Sequence, residues 1–359
     1  MKRKWMLVAA TVLAIVMVVS LGLVGCKTTT TSTAAAETTV AAAETTAAEK
    51  KARKVVFVTH DLNPFFAPAV VGMKDFGALV GWETQFVGPV KNDVQGTVEL
   101  QQSVIVSKPD AVAFTAIDSE AFIEPIQAAQ KAGIFVVLYN TRAPGVKEKT
   151  GVAYVGQDFI TAGNVAGYEI CKYIIKHTGR KDGKIIMSNF APGHFALEAR
   201  NLGGSQGVEK YNKEFGTTYT TEALATSSDE AEAMAKIEAK WSNESDQIVG
   251  WLSSEFTHGF IGAWAKKQGL TGKFAVGGYD LVEQVMLGIK DGSIDFSIGQ
   301  NPYGQGFLTS ALIYQGLEAG LPASDIDTGA EIIDSTNIDN IMKRESIWIE
   351  KGKELGVIK

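Results

Sequence analysis

Along most of the chain, short unbroken apolar runs alternate with segments whose apolar positions recur at helical spacing. Residues 55–58 (Val-Val-Phe-Val) form the first run, the length expected of a strand buried on both faces. A helix follows over 66–80, then a strand over 83–87, a helix over 94–107, a strand over 111–115 and a helix over 119–131. A strand over 134–139 ends at Asn140. The cycle then restarts, with helices over 160–177, 195–215, 228–241 and 256–268. Strands fall between and after them, over 184–187, 218–224, 247–252 and 274–279. The last of these stops at Asp280. Leu281, Val285 and Ile289 then continue at helical spacing until Asp291-Gly292 breaks the helix. Residues 294–298 read as one more strand, stopping at Gln300. Asn301-Pro302 has the form of an N-cap followed by proline at the first helical position. Strand–helix alternation of this kind predicts an α/β fold with parallel sheets covered by helices on both faces. Two successive cycles predict two similar doubly wound lobes, joined near Tyr154-Val155-Gly156-Gln157-Asp158.

The first residues belong to no such pattern. Lys2, Arg3 and Lys4 precede an apolar stretch over 5–19, and Leu23-Val24-Gly25 leads into Cys26. This resembles a bacterial lipoprotein signal, removed as residues 1–25 and leaving Cys26 as the lipidated N-terminus. A membrane anchor and an ordinary secretory signal are the alternatives. Residues 26–53 are mostly Thr, Ala, Ser and Glu, without apolar periodicity, and read as a tether. A coil of about 25 residues spans roughly 25–30 Å. That is enough to hold a domain off a membrane.

Composition narrows the class. The chain has 359 residues, 45% of them hydrophobic and 21% charged, which suits two globular domains with true cores. Its net charge is −6; losing Lys2, Arg3 and Lys4 with residues 1–25 leaves −9. The basic patch that nucleic-acid recognition requires is missing, so no nucleic-acid partner is expected. The acidic balance suits an extracytoplasmic protein that avoids anionic lipid heads. With Cys26 acylated, Cys171 stands alone, in helical register with Ile170, Ile174 and Ile175, and is expected to be a buried thiol. The four histidines have no metal-ligand spacing, and no metal or cofactor is expected. Nor does the chain carry a Gly-x-Gly-x-x-Gly turn, a phosphate loop or a Gly-x-Ser-x-Gly elbow at a strand-to-helix turn, so catalysis is not expected.

The candidate chemistry lies just past the strands. Asn63, Asp118, Asn140 with Arg142, Ser254 with Glu255, Asp280 and Gln300 all follow one. In open α/β sheets this carboxyl edge is where ligands bind. Carboxylate, amide and guanidinium groups each hold two hydrogen bonds at once, which matches vicinal hydroxyls. Phe65 and Phe66 add aromatic faces able to cover the C–H side of a sugar ring. Blander roles exist: Asp280 as a helix cap, Asn63 as a turn residue before Pro64, Arg200 on a solvated helix face, His194 on the lobe surface.

Taken in order, these motifs resemble the ribose- and galactose-type (type I) periplasmic sugar-binding proteins of ABC transporters, over residues 54–340. The resemblance rests on Asn63-Pro64-Phe65-Phe66, on Arg200 in Arg200-Asn201-Leu202-Gly203-Gly204, on Asp280 after Gly277-Gly278-Tyr279, and on Gln300. It implies two lobes joined by three crossing strands and closing on ligand by hinge motion. The N-terminal lobe would hold 54–156 plus 301–329 and the C-terminal lobe 157–300 plus 330–340, with 341–359 an appended surface helix. It also implies ligand contacts from Asn63, Phe65, Phe66, Asn140, Arg142, Arg200, Ser254, Asp280 and Gln300, with Asp118, Phe190, His194 and Glu255 as further candidates. Three departures bear on the ligand. Asn140-Thr141-Arg142 stands where the family has Asp-Arg, Ser254 stands for an Asn, and Ser228 lies where a second stacking aromatic is usual. Phe190, His194, Phe195 or Phe256 could replace that aromatic. A pentose, hexose or polyol therefore remains open. The implied function is that of a lipid-anchored, monomeric solute-binding protein delivering a small sugar to an ABC permease. The alternative is a sensor of the same fold, presenting a nucleoside, autoinducer or sugar to a membrane receptor or kinase.

Overall fold

The computed structural model describes residues 52–356; the signal, Cys26 and nearly all of the tether lie outside the described residues. Two six-stranded sheets organise the chain. The first contains β1 (Lys54–Val58), β2 (Glu83–Val87), β3 (Ala111–Ala116), β4 (Phe135–Arg142), β5 (Tyr154–Gly156) and β11 (Ile326–Asp327), in the order β11-β5-β4-β3-β1-β2. The second contains β6 (Asp182–Asn189), β7 (Thr218–Ala225), β8 (Ile248–Ser253), β9 (Ala275–Tyr279), β10 (Phe296–Gly299) and β12 (Glu331–Asp334), in the order β12-β10-β9-β8-β6-β7. All pairings are parallel except β10 with β12. Central strands are buried on both faces, which is why they read as unbroken apolar runs. Val56, Phe114 and Leu138 pack on one side of the first sheet, and Phe57, Val70 and Tyr139 on the other.

The helices are α1 (Ala67–Val80), α2 (Val94–Val106), α3 (Ile123–Lys131), α4 (Val146–Thr150), α5 (Phe159–Thr178) and α6 (Phe195–Phe215). They continue as α7 (Glu230–Glu244), α8 (His258–Lys267), α9 (Glu283–Asp291), α10 (Pro302–Ala319) and α11 (Ile338–Glu354). Helix α3 starts later than its periodicity suggests. The Asp118 carboxylate accepts the N–H groups of Glu120 and Ala121, both at 2.8 Å, and makes a turn there instead.

Two helix pairs bear on the site because glycine lets their backbones meet. A Cβ on Gly167 of α5 would lie 1.9 Å from the carbonyl oxygen of Gly204 on α6. A Cβ on Gly306 of α10 would lie 1.9 Å from that of Ala69 on α1. The first contact draws α6 onto its lobe and fixes the turn that carries Arg200; the second seats α1 directly behind Phe65 and Phe66.

The chain crosses between lobes after β5, after β10 and after β11. Gln157, in the first crossing, donates to the carbonyls of Gly299 (3.4 Å) and Gly329 (3.0 Å), one on each of the other two. Thr328 donates its hydroxyl to the Gln300 carbonyl at 2.9 Å. The three crossings are thus stitched into one ribbon.

The C-terminal helix differs from the surface appendage expected from residue 341. It begins at Ile338, because Ile338 and Ile341 both bury in the C-terminal-lobe core. Its later turns reach the other lobe. Trp348 stacks on Tyr303 at 5.0 Å and 5°, and Lys351 pairs with Asp75 of α1 at 3.1 Å. Arg344 pairs with Glu331 of β12 at 2.8 Å. Helix α11 therefore touches both lobes. Cys171 is buried and free, its thiol 3.2 Å from the Gly167 carbonyl and pushed up to about 12 by burial.

Candidate functional site: the cleft between the lobes

A cavity of about 560 Å³ opens between the carboxyl edges of the two sheets. The N-terminal lobe contributes His60, Asn63, Phe65, Phe66, Asn92 and Asn140. The C-terminal lobe contributes Phe190, His194, Arg200, Glu255, Phe256 and Asp280, and Gln300 enters from the second crossing.

Two of these residues sit where the backbone kinks. Asn140 has φ +60° and Asp280 φ +75°. Asn and Asp tolerate this left-handed region better than other side chains. Each kink turns the chain off its strand and leaves the side chain at the cleft wall. Asn140 is held fast: its Nδ2 donates to Gln305 Oε1 (3.0 Å), its Oδ1 accepts from the Thr141 hydroxyl (2.9 Å), and its carbonyl accepts from Tyr154 Oη (2.7 Å). Gln305 Nε2 donates in turn to the Gln300 carbonyl at 3.1 Å, linking Asn140 to the hinge.

Arg200 is 4% exposed. It donates from Nη2 to Gln157 Oε1 (2.9 Å) and from Nη1 to the Ser254 carbonyl (3.0 Å). Its guanidinium lies over the rings of Tyr279 (4.4 Å) and Phe159 (5.2 Å). Among the described residues no carboxylate forms an ion pair with it. Asp280 and Glu255 feel its charge from farther off. A buried cation facing two acids across open space leaves room for a ligand to bridge them.

The acids are tuned accordingly. Burial pushes the Asp280 pKa up, against the pull of Arg200 and of Gln300 Nε2, which donates to Asp280 Oδ1. Burial pushes Glu255 up to about 8, opposed by the Thr257 N–H and hydroxyl and reinforced by Asp280. At neutral pH Glu255 is therefore mostly protonated, able to donate as well as accept. Across the cleft, burial and His194 push His60 down to about 3. His194 is lowered too, by burial first and Arg200 second. The two neutral imidazoles, one per lobe, have centroids 6.4 Å apart. The Nδ1 atom of each is buried with no hydrogen-bond partner among the described residues.

The aromatic candidates separate by position. Phe66 is buried against His60, Phe86 and Tyr139, and Phe65 stands edge-on to it at 5.1 Å as the more exposed wall. Opposite, Phe190 and Phe256 pack together at 5.8 Å within the cleft. Phe195 instead packs on Phe159 at 6.1 Å and lines a separate cavity on the hinge side.

Three expected residues do not line the cleft. Arg142 turns to the hinge side, where it pairs with Asp325 (2.8 Å) and lies over Tyr154. The Ser254 hydroxyl donates to the Ser188 carbonyl (3.1 Å); it is its backbone carbonyl that serves the site, by holding Arg200. Asp118 is spent on its turn. Asn63 lies at the rim, with Oδ1 accepting the Phe65 N–H (3.0 Å) and Nδ2 donating to Asp61 (3.1 Å). Conversely, His60, Asp61, Lys91, Asn92, Thr141 and Ser228 line the cavity without having been singled out as contacts. His60 and Asn92 follow β1 and β2, so the strand-end rule could have found both.

With this geometry in place, comparison with known proteins is decisive on family. The periplasmic binding protein domain matches residues 54–320. The chain belongs to that family. A xylose/arabinose-binding protein of Sulfolobus acidocaldarius is 28% identical over 302 residues, covering 79% of this chain and 72% of the relative. The D-allose-binding periplasmic protein of Escherichia coli is 22% identical over 248 residues, 67% of this chain and 76% of the relative. Among solved structures, a solute-binding protein of Burkholderia graminis in complex with D-arabinose superposes with a TM-score of 0.70. It is 20% identical, covering 80% of this chain and 96% of that one. A glucose-galactose binding protein of Geobacillus stearothermophilus gives a TM-score of 0.69 at 18% identity, covering 80% and 99%. The two α/β lobes with three crossings are the type I periplasmic binding protein fold. Among the described residues, no helix is long and apolar enough to cross a membrane.

Proposed function

We propose that the protein is an extracytoplasmic solute-binding lipoprotein that captures a pentose or hexose between its lobes, closes on it, and delivers it to an ABC permease. The observation that carries this reading is the set formed by Arg200, Asp280, Gln300 and Glu255 on one side and His60 with Phe65 on the other. These groups offer donors and acceptors for several hydroxyls at once, and aromatic faces for the ring. Because Arg200 faces the acids Asp280 and Glu255 in the same cleft, its charge does not stand alone there, and the cleft suits an uncharged ligand. The names of the relatives, xylose/arabinose and D-allose binders, support the same class. The arrangement favours binding over turnover: Arg200, Asn140, Asp280 and Glu255 are each held by neighbours in place to offer hydrogen bonds. Hydroxyls that engage Asn140 and His60 on one lobe and Arg200 and Asp280 on the other hold the closed state, with the stitched crossings as hinge. Lipidation at Cys26 would keep the protein near its permease.

The test is a thermal-shift panel of D-xylose, L-arabinose, D-allose, D-glucose and D-galactose. A binding sugar at 100 times its Kd stabilises the folded state by about 2.7 kcal/mol. At least one of the five raises Tm if the reading holds; a flat response to all, with a rise for a nucleoside, contradicts it.

A further inference from the structure

A second cavity, of about 350 Å³, lies beneath α11 and meets the sugar cleft at Phe65, Asp280, Val282 and Gln300. Its walls come from three sources. Phe65 and Pro68 belong to the N-terminal lobe, Leu281 and Val282 to the C-terminal lobe, and Ile349 to α11. The lining is mainly apolar, and two of the acids that touch it are engaged: half-buried Asp280 accepts from Gln300 through Oδ1, and buried Glu345 accepts from Arg344 through Oε1 at 3.2 Å. Glu283, the remaining acid of the wall, is exposed. An apolar cavity of roughly 150 Å³ takes a benzene molecule, so this one holds a phenyl or butyl group with room to spare.

We propose that this chamber is a subsite of the cleft for an uncharged apolar substituent, so that the ligand class includes alkyl and aryl glycosides of the sugar held between the lobes. The proposal rests on the carbohydrate reading of the cleft. Its basis is continuity: Phe65, Asp280, Val282 and Gln300 line both cavities, so a ring seated between Phe65 and Asp280 has an apolar space beside it for a substituent. Helix α11 forms the far wall of that space. Its first turns are rooted in the core of one lobe and its later turns on α1 and α10 of the other, so the chamber is roofed from both sides.

Calorimetric titration of the full chain tests this. The best of D-xylose, L-arabinose, D-allose, D-glucose and D-galactose is compared with its methyl, n-butyl, 3-aminopropyl and phenyl glycosides, in both anomers. Affinity is expected to rise from methyl to n-butyl by roughly fourfold per buried methylene in one anomer. The phenyl glycoside gains likewise, and the charged 3-aminopropyl glycoside falls short of its isostere. Ile349→Trp, at an exposed position of α11, fills the chamber. It removes the n-butyl and phenyl gains and leaves the free sugar unchanged. The proposal is overturned if n-butyl and phenyl glycosides bind no better than methyl, if the aminopropyl glycoside binds better than n-butyl, or if Ile349→Trp leaves the gains intact. In each of those cases the free sugar still binds and the reading of the cleft stands. If none of the five sugars binds, both fall.

Discussion

Asp280 combines three properties: a left-handed backbone, a hydrogen bond from Gln300, and a position facing the Arg200 charge. Alanine there would remove the carboxylate and strain the backbone together. Asp280→Asn separates the two, since Asn tolerates the same φ. The expected result is a Tm close to that of the native chain, with sugar affinity weakened by about 1–3 kcal/mol, the cost of leaving a buried hydroxyl without its acceptor. The structure puts the N-cap of α9 at Val282, with no side-chain cap, so Asp280 is not the helix cap of the blander reading. Calorimetry with parallel thermal melts checks the prediction; a lower Tm with unimpaired affinity would show that Asp280 serves the fold alone. Glu255 makes a pH prediction. Its folded pKa, about 8, lies above the ordinary 4.5, so between those values the folded state keeps a proton that the unfolded state has lost. Stability therefore falls as pH rises from about 4.5 to about 8. His60, at about 3, and His258, at about 4, act oppositely, but only below their ordinary 6.5. His194 is lowered as well and acts with them, while Asp280 and Glu345, raised by burial, act with Glu255, so the variant comparison from pH 6.5 to 8 is what isolates Glu255. Urea denaturation across that range should show a falling stability that is shallower in Glu255→Gln; an unchanged slope contradicts the assignment. At this scale the sequence revealed which residue types matter at strand ends. It did not reveal where each points. Arg142 and Asp118 carry the right chemistry, but Asp325, 183 residues away, claims the first and a local turn the second.

Elements were more legible than residues, because burial on both sheet faces and helical spacing leave a direct imprint on the pattern. The long strands and helices from β1 to α10 follow that imprint to within a few residues. What escaped is short or held from afar. β11 has two residues and exists only by pairing with β5; β12 lies antiparallel to β10, outside the alternation; α4 has five residues. The glycines of α5 and α6 look like helix weaknesses in isolation, yet they allow the contact that sets Arg200. Gly167→Ala places a methyl group against the Gly204 carbonyl and must push α6 outward. Overpacking of this kind lowers stability by about 1–3 kcal/mol. The variant should show a Tm several degrees lower and weaker sugar binding, because Arg200 retreats with its helix. A stable variant with native affinity would mean that α6 does not govern Arg200.

For the whole molecule, two lobes related by repeated alternation could be read from the chain, and so could the three crossings once the resemblance supplied their order. The role of the last helix could not. Nothing in 341–359 announces that Ile338 and Ile341 root in one lobe while Trp348 and Lys351 reach the other. That arrangement ties α11 to the relative position of the lobes, and hence to any closure of the cleft. The central claim is that a sugar lies between the lobes, held by groups from both. A crystal structure of the protein with the sugar selected by the thermal-shift panel tests it most directly. The account predicts one ring in the cleft, with Phe65 against its face and hydroxyls within hydrogen-bond distance of Arg200, Asp280 and Gln300. A sugar bound elsewhere, or a cleft occupied by a solute without hydroxyls, would contradict it.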